Sequence, residues 1–297
     1  MKRRDLVGLV ACVGVGVMGT KLATSPTGNA TKGRLRQSVM HHSFEVAANW
    51  TLADTVKAAV KLGCVSVEGV PPHDWDLLVQ HGLTCAMVEA HSPLTGMNNP
   101  TFWDVNLQAI HERIDACADY HFPHVLSFTG LADTSSLGGG TIDRETGQRN
   151  CIEAFRKIAP YAERRGVTLL LEQINSRDGV GAHGLPGYQG DDLSYCAEIV
   201  RRVDSQNMKL LFDTFHVQVM HGDLLRRLAE CGDILGHVQT AGNPGRCEIG
   251  PDQEINYTAI AHTLVRLGYT GYVGHEFMPT REPISALREA VEICTVL

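Results

Sequence analysis

Residues 167–175 read VTLLLEQIN, and residues 208–216 read MKLLFDTFH. Each opens on a short apolar run, as a strand buried on both faces requires. Each run closes on a carboxylate, Glu172 in the first and Asp213 in the second. The pattern returns in ILGHVQTAG at 234–242 and in YVGHEF at 272–277. Amphipathic stretches at 191–203, 222–230 and 257–267 separate these runs. Strands that alternate with helices in this way belong to a parallel sheet whose faces the helices cover.

Moving outward, the first half of the chain repeats the unit. Apolar runs at 35–40, 64–67, 83–88 and 125–128 read as strands. Stretches at 51–63, 74–80, 100–120 and 148–165, and from Pro283 to the end, read as helices. Thr51 is placed to cap one helix start and Gly63 to end that helix, and Gly82, Gly166, Gly232 and Gly268 repeat the stop signal. Eight strand–helix units across residues 34–297 predict a (β/α)8 TIM barrel, an α/β fold, forming one catalytic domain. An open doubly wound sheet is the alternative. Against it, no G-x-G-x-x-G or G-x-x-x-x-G-K-[ST] follows any of these strands, so the usual phosphate cradle is missing.

The bulk numbers agree with a folded protein of this size. Of 297 residues, 43% are hydrophobic and 20% charged, enough for a large core. The net charge of −7 supplies no basic field for a phosphate backbone, so no nucleic-acid partner is expected. Nine cysteines include no C-x-x-C pair, which excludes zinc-ribbon and thioredoxin-type readings. At the N-terminus, Lys2, Arg3 and Arg4 precede an uncharged stretch from Leu6 to Thr20 and then a polar segment. Residues 1–33 are therefore expected to be a twin-arginine export signal and linker, delivering the enzyme to the periplasm. The apolar stretch falls short of the roughly 20 residues a stable membrane anchor needs.

Catalytic groups of such barrels sit at the C-terminal ends of the strands. Side chains alternate along a strand, so Leu170 shares a face with Glu172, Leu211 with Asp213, His237 with Gln239 and Gly274 with Glu276. If these faces point inward, Glu172, Asp213, Gln239 and Glu276 converge at the barrel mouth. Three converging carboxylates repel one another unless a cation holds them, and oxygen donors suit Mg²⁺ or Mn²⁺. Taken singly, each acid could instead form a salt bridge or cap the next helix. Glu68 ends the second strand, where it can orient a neighbouring group or make an ordinary salt bridge. His41, His42 and His91 lie near early strand ends and can line the pocket.

The later strand ends read in series as Glu172-Gln173-Ile174-Asn175-Ser176-Arg177-Asp178, Phe212-Asp213-Thr214-Phe215-His216, His237-Val238-Gln239-Thr240-Ala241-Gly242-Asn243-Pro244-Gly245-Arg246, Glu254-Ile255-Asn256-Tyr257 and Gly274-His275-Glu276-Phe277. This series resembles the hydroxypyruvate isomerase family, within the xylose-isomerase-like barrel superfamily that includes ketose 3-epimerases. The H-x-Q-x-A-G-x-P-G-R segment is its most specific piece.

The resemblance implies one divalent metal ion held by Glu172, Asp213, Gln239 and Glu276, with the two glutamates also moving protons. It implies that His216, Arg246 and Glu248 touch substrate. The implied activity is an aldose–ketose type isomerisation of hydroxypyruvate to tartronate semialdehyde through an enediolate, Arg246 pairing with the substrate carboxylate. An exported sugar or keto-sugar epimerase or lyase would use the same metal site on a larger substrate, and a non-enzymatic sugar-binding protein would result if the site were incomplete. The loop from Gly179 to Gln189, which contains His183, diverges where substrate would be covered. The expected partner is a small hydroxy-carbonyl compound or sugar, and the sequence leaves homo-oligomerisation open.

Overall fold

The computed structural model describes residues 33–297, and the export signal expected over residues 1–33 lies, but for Gly33, outside the described residues. Strand β1 (Arg36–Met40) runs directly into α1 (His41–Ala48), and α2 (Leu52–Leu62) follows. Next come β2 (Ser66–Glu68), α3 (Trp75–Gln80), β3 (Val88–Glu89), α4 (Trp103–Tyr120) and β4 (His124–Ser127). The second half runs α5 (Arg144–Arg165), β5 (Thr168–Glu172), α6 (Leu193–Val203), β6 (Met208–Asp213), α7 (Thr214–Met220) and α8 (Leu224–Glu230). It closes with β7 (Leu235–Thr240), α9 (Tyr257–Arg266), β8 (Tyr272–His275) and α10 (Pro283–Ile293).

All eight strands pair in parallel, in the order β2-β1-β8-β7-β6-β5-β4-β3. The two end strands approach each other and nearly close the barrel, so the fold is the expected (β/α)8. Closure between β2 and β3 is irregular. The expected strand over 83–88 ladders only at Val88–Glu89, and upstream of it a single parallel bridge joins Ser66 to Thr84. The Ser66 hydroxyl takes the Ala86 amide at 2.7 Å, the group a continuous ladder would have paired through backbone.

Helix ends follow the local chemistry. Thr51 and Asp54 form a capping box at the start of α2, and Gly63 ends it with φ 84, a conformation a side chain would strain. Asp143 caps α5 by accepting from the Thr146 amide, which starts that helix four residues before the expected position. Helices α1 and α7 were not expected. Helix α7 begins at once after β6 because the Asp213 carboxylate accepts from the Phe215 amide at 2.8 Å.

Alternation along the strands sorts the core into two layers. Leu169, Leu171, Leu210, Phe212, Val238 and Val273 pack outward against the helices. Leu170 and Leu211 point inward, where they meet Met40, Met87, Leu126, Phe128, Ile174 and Tyr188. Glu172 and Asp213 lie two residues beyond Leu170 and Leu211 and so share the inward face. None of the eight described cysteines forms a disulfide, and all but Cys247 are buried. No helix among the described residues is long and apolar enough to cross a membrane.

Candidate active site

Register brings two of the expected groups level, Asp213 with Gln239, and sets Gln239 beside Gly274, two residues before Glu276. Glu276 lies one residue beyond β8, still held against β7 by its amide bond to the Thr240 carbonyl at 3.0 Å. Glu172, Asp213, His216, Gln239 and Arg246 are all buried.

Arg246 ties the cluster together. The loop after β7 folds back through Gly242 N–H to the Cys247 carbonyl at 2.7 Å, and the Arg246 carbonyl accepts from the Met278 amide at 2.7 Å. Its guanidinium then lies 2.9 Å from Asp213 Oδ2 and 3.0 Å from Glu276 Oε1, with 2% of the residue exposed. Burial works against the charge on Asp213, but Arg246, His216 and the Phe215 amide outweigh it and hold the carboxyl below its usual range. Glu172 and Glu276 go the other way. Burial first, then Glu276 and Asp213, push Glu172 well above the carboxylate range. Burial also drives Glu276 upward, more than Arg246 can offset. Two acids that hold their proton more tightly than usual thus flank one that gives it up more readily.

His216 stands on the first turn of α7, 3.5 Å from Asp213 Oδ2 and 3.8 Å from Glu172 Oε1. Burial pushes its pKa down to about 3, so the ring is neutral. Asn175 orients the ring. The Asn175 amide oxygen accepts from the Asp178 N–H at 2.9 Å, and its nitrogen donates to the His183 carbonyl at 2.6 Å. With the amide oriented that way, its nitrogen also donates to His216 Nδ1 at 2.8 Å. Nδ1 thus faces one donor, and Nε2 faces another, Arg246 Nη1 at 3.3 Å, beside the Asp213 and Glu172 carboxylates. Asn175 also draws in the divergent loop, its carbonyl accepting from the Leu185 amide at 2.8 Å. Sequence reasoning gave Asn175 no role; its polar position three residues past Glu172, at the strand mouth, was the available signal.

Glu68 and Gln239 meet inside the barrel. Glu68 is fully buried, and its Oε2 accepts from His237 Nε2 at 2.9 Å and from Gln239 Nε2 at 3.1 Å. Glu248 stands apart from the cluster. Its oxygens accept from the Thr280 amide at 2.6 Å, the Thr280 hydroxyl at 2.9 Å and the Arg281 amide at 2.9 Å, which ties the loop after β7 to the loop after β8. His41 and His42 line a cavity of about 460 Å³ at the ends of β1–β3 together with Glu45, Asp74, Glu89 and Arg113. His91 lies against Ser127 Oγ at 2.7 Å.

The donor set fits a hard cation. Gln239 Oε1 and Glu276 Oε2 are buried without a hydrogen-bond partner among the described residues, and Asp213 Oδ2 has ionic neighbours alone. Ligand atoms of Glu172, Asp213 and His216 fall within 4.8 Å of one another. The oxygens of Glu172, Asp213, Gln239 and Glu276 are groups that could hold an ion, with the His216 ring beside them.

A family model described as xylose isomerase-like TIM barrel matches residues 56–295. The chain belongs to that family. It is 36% identical over 165 residues to a 2-oxo-tetronate isomerase of Cupriavidus necator, an alignment covering 52% of this chain and 59% of the relative. A second 2-oxo-tetronate isomerase, of Haemophilus influenzae, is 29% identical over 252 residues, covering 79% of this chain and 90% of the relative. The hydroxypyruvate isomerase of Escherichia coli is 31% identical over 137 residues, 46% of this chain and 50% of that one. The matched region thus spans between half and nine-tenths of these relatives. Among solved structures, one titled AP endonuclease, family 2, from Brucella melitensis superposes with a TM-score of 0.71 at 24% identity, covering 85% of this chain and 97% of the other, and supports the fold alone.

Proposed function

We propose that this family member is a divalent-cation-dependent isomerase of a short hydroxy-keto acid, hydroxypyruvate to tartronate semialdehyde being the simplest case. The observation that carries this reading is the placing of Glu172, buried, and Glu276, half-buried, in one cluster around Asp213 and Arg246, both with raised pKa values. A carboxyl whose pKa is raised suits general acid–base work. One glutamate takes a proton from the hydroxyl-bearing carbon, giving an enediolate, and the other returns a proton to the former carbonyl carbon. Mg²⁺ or Mn²⁺ held by Glu172, Asp213, Gln239 and Glu276 would supply positive charge for the substrate's oxygens. His216, its ring oriented by Asn175 at Nδ1, turns Nε2 toward the place of the substrate oxygens. Arg246, buried between Asp213 and Glu276, is the guanidinium for a substrate carboxylate. The names of the relatives, isomerases of 2-oxo-tetronate and hydroxypyruvate, support an acid as substrate.

The test is turnover of hydroxypyruvate, a four-carbon 2-oxo acid and a neutral ketose by chelator-stripped and Mn²⁺-loaded protein, run in D2O. Cation-dependent turnover of the acids, with solvent deuterium on the product carbon, is expected. Turnover of the ketose but of neither acid would replace this reading with a keto-sugar epimerase or lyase. The Arg3–Arg4 pair supports a periplasmic place of work.

A further inference from the structure

Gln239 differs from the other oxygen donors of the cluster in being an amide, which can present either oxygen or nitrogen to the barrel mouth. Glu68 decides between them. A carboxylate accepts hydrogen bonds and does not donate them, so the end of Gln239 lying 3.1 Å from Glu68 Oε2 is its nitrogen. The amide oxygen is thereby turned away from Glu68 and left buried without a hydrogen-bond partner. Glu68 itself is held by His237 Nε2 on the same oxygen at 2.9 Å, with both side chains fully buried. The barrel reserves the space for it: a Cβ added to Gly274 of β8 would collide with Glu68 Oε1.

We infer that Glu68 is a positioning residue for the cation site: anchored by His237, it fixes the amide orientation of Gln239 and places negative charge behind that neutral ligand. This inference rests on the cation reading above. The arrangement parallels a carboxylate behind a metal-bound histidine, where outer partners fix the orientation of a ligand and raise its basicity. Glu68 comes from β2, early in the chain, and acts on the site through Gln239.

Glu68→Gln keeps the shape and tests the orientation. The introduced amide keeps both bonds only with its oxygen in the place of Oε2, which leaves its nitrogen without an acceptor where Oε1 stood. Turned the other way it sets N–H against N–H, and Gln239 swings its oxygen inward; in either orientation the negative charge behind Gln239 is gone. Mn²⁺ affinity, measured by titration calorimetry on chelator-stripped protein, should fall roughly 10- to 100-fold. Combining Glu68→Gln with Gln239→Glu restores a donor facing an acceptor. In that double variant the amide nitrogen introduced in β2 donates to one oxygen of the carboxylate introduced in β7, while the other oxygen faces the mouth. It should bind Mn²⁺ at least as tightly as the wild type. A Glu68→Gln protein that binds Mn²⁺ as the wild type does would overturn the inference and leave the cation site standing. Should the single variant fail to fold, the double decides: wild-type affinity supports the inference and a 10-fold or greater loss refutes it. A wild type that takes up no Mn²⁺ would remove the cation reading, and this one with it.

Discussion

Replacing Arg246 by Met removes a buried charge while leaving a flexible side chain of similar reach. Two acids lose their partner, Asp213 at 2.9 Å and Glu276 at 3.0 Å, at a residue only 2% exposed. Breaking a buried pair from one side costs about 3–5 kcal/mol, since the remaining charge stays buried and uncompensated. Part of that cost is recoverable, because a carboxylate that has lost its guanidinium gains more from a bound divalent cation. Urea unfolding of chelator-stripped protein should therefore show the variant less stable by about 3–5 kcal/mol. Added Mn²⁺ should stabilise the variant more than the wild type; an ion at 100 times its Kd contributes about 2.7 kcal/mol, and a tighter Kd raises that figure. The same change should lower kcat/KM for an anionic substrate by roughly 10- to 150-fold, the equivalent of the ~1.5–3 kcal/mol of a charge-assisted hydrogen bond. A neutral ketose should suffer less. Equal stability of the two stripped proteins, or equal stabilisation by Mn²⁺, would refute this account of Arg246.

Further expectations follow from single side chains. Asp213→Ala should lose the bound ion by elemental analysis, and it should cost about 3–5 kcal/mol for the buried partner taken from Arg246 besides about 1 kcal/mol for the cap on α7. Glu172→Gln and Glu276→Gln should each lower turnover by about 10²–10⁴-fold in steady-state assays. His124 is buried with its pKa pushed down to about 3, so the unfolded chain binds its proton first as pH falls below 6.5. Its stabilising effect is thus complete above pH 6.5 and is lost progressively toward pH 3. By pH 5 the loss is about 2 kcal/mol, and urea midpoints of His124→Gln should depend less steeply on pH than those of the wild type. Replacing Arg3 and Arg4 together by Lys should strand the protein in the cytoplasm, as fractionation of expressing cells would show.

The later half of the barrel was legible because each strand carries its own evidence. In VTLLLEQIN and MKLLFDTFH the alternation that buries Leu170 and Leu211 also aims Glu172 and Asp213 inward. Helix α7 escaped notice because TFHVQVM, rich in branched and aromatic side chains, reads like more strand; the Asp213 side chain turns it into a helix. The third strand was expected at 83–88 from its apolar content, but Ser66 supplies a side-chain partner for Ala86 where a ladder would have run. Asn175 and Glu68 act through tertiary contacts. Glu68 reaches Gln239 across 171 residues, and no local pattern encodes which of the two possible roles at a strand end it takes. Glu248, expected at the substrate, has its oxygens occupied by Thr280 and Arg281, because the loop carrying it closes against the loop after β8.

The irregular joint between β2 and β3 has a dynamic consequence. Seven of the barrel's joints are ladders among the described residues, while this one rests on a short set of contacts: Thr84 N–H to the Val65 carbonyl, Val67 N–H to the Thr84 carbonyl, Gly69 N–H to the Met87 carbonyl, and Ser66. Local opening costs least where the fewest cooperative bonds must break. Amide protons of Val67, Gly69 and Thr84 should thus exchange with solvent ahead of those in β5, β6 and β7, whose ladders carry Glu172, Asp213 and Gln239. The cylinder would breathe along one side while the wall bearing most of the acids keeps its shape, and Glu68, at the end of β2, stands on the breathing side.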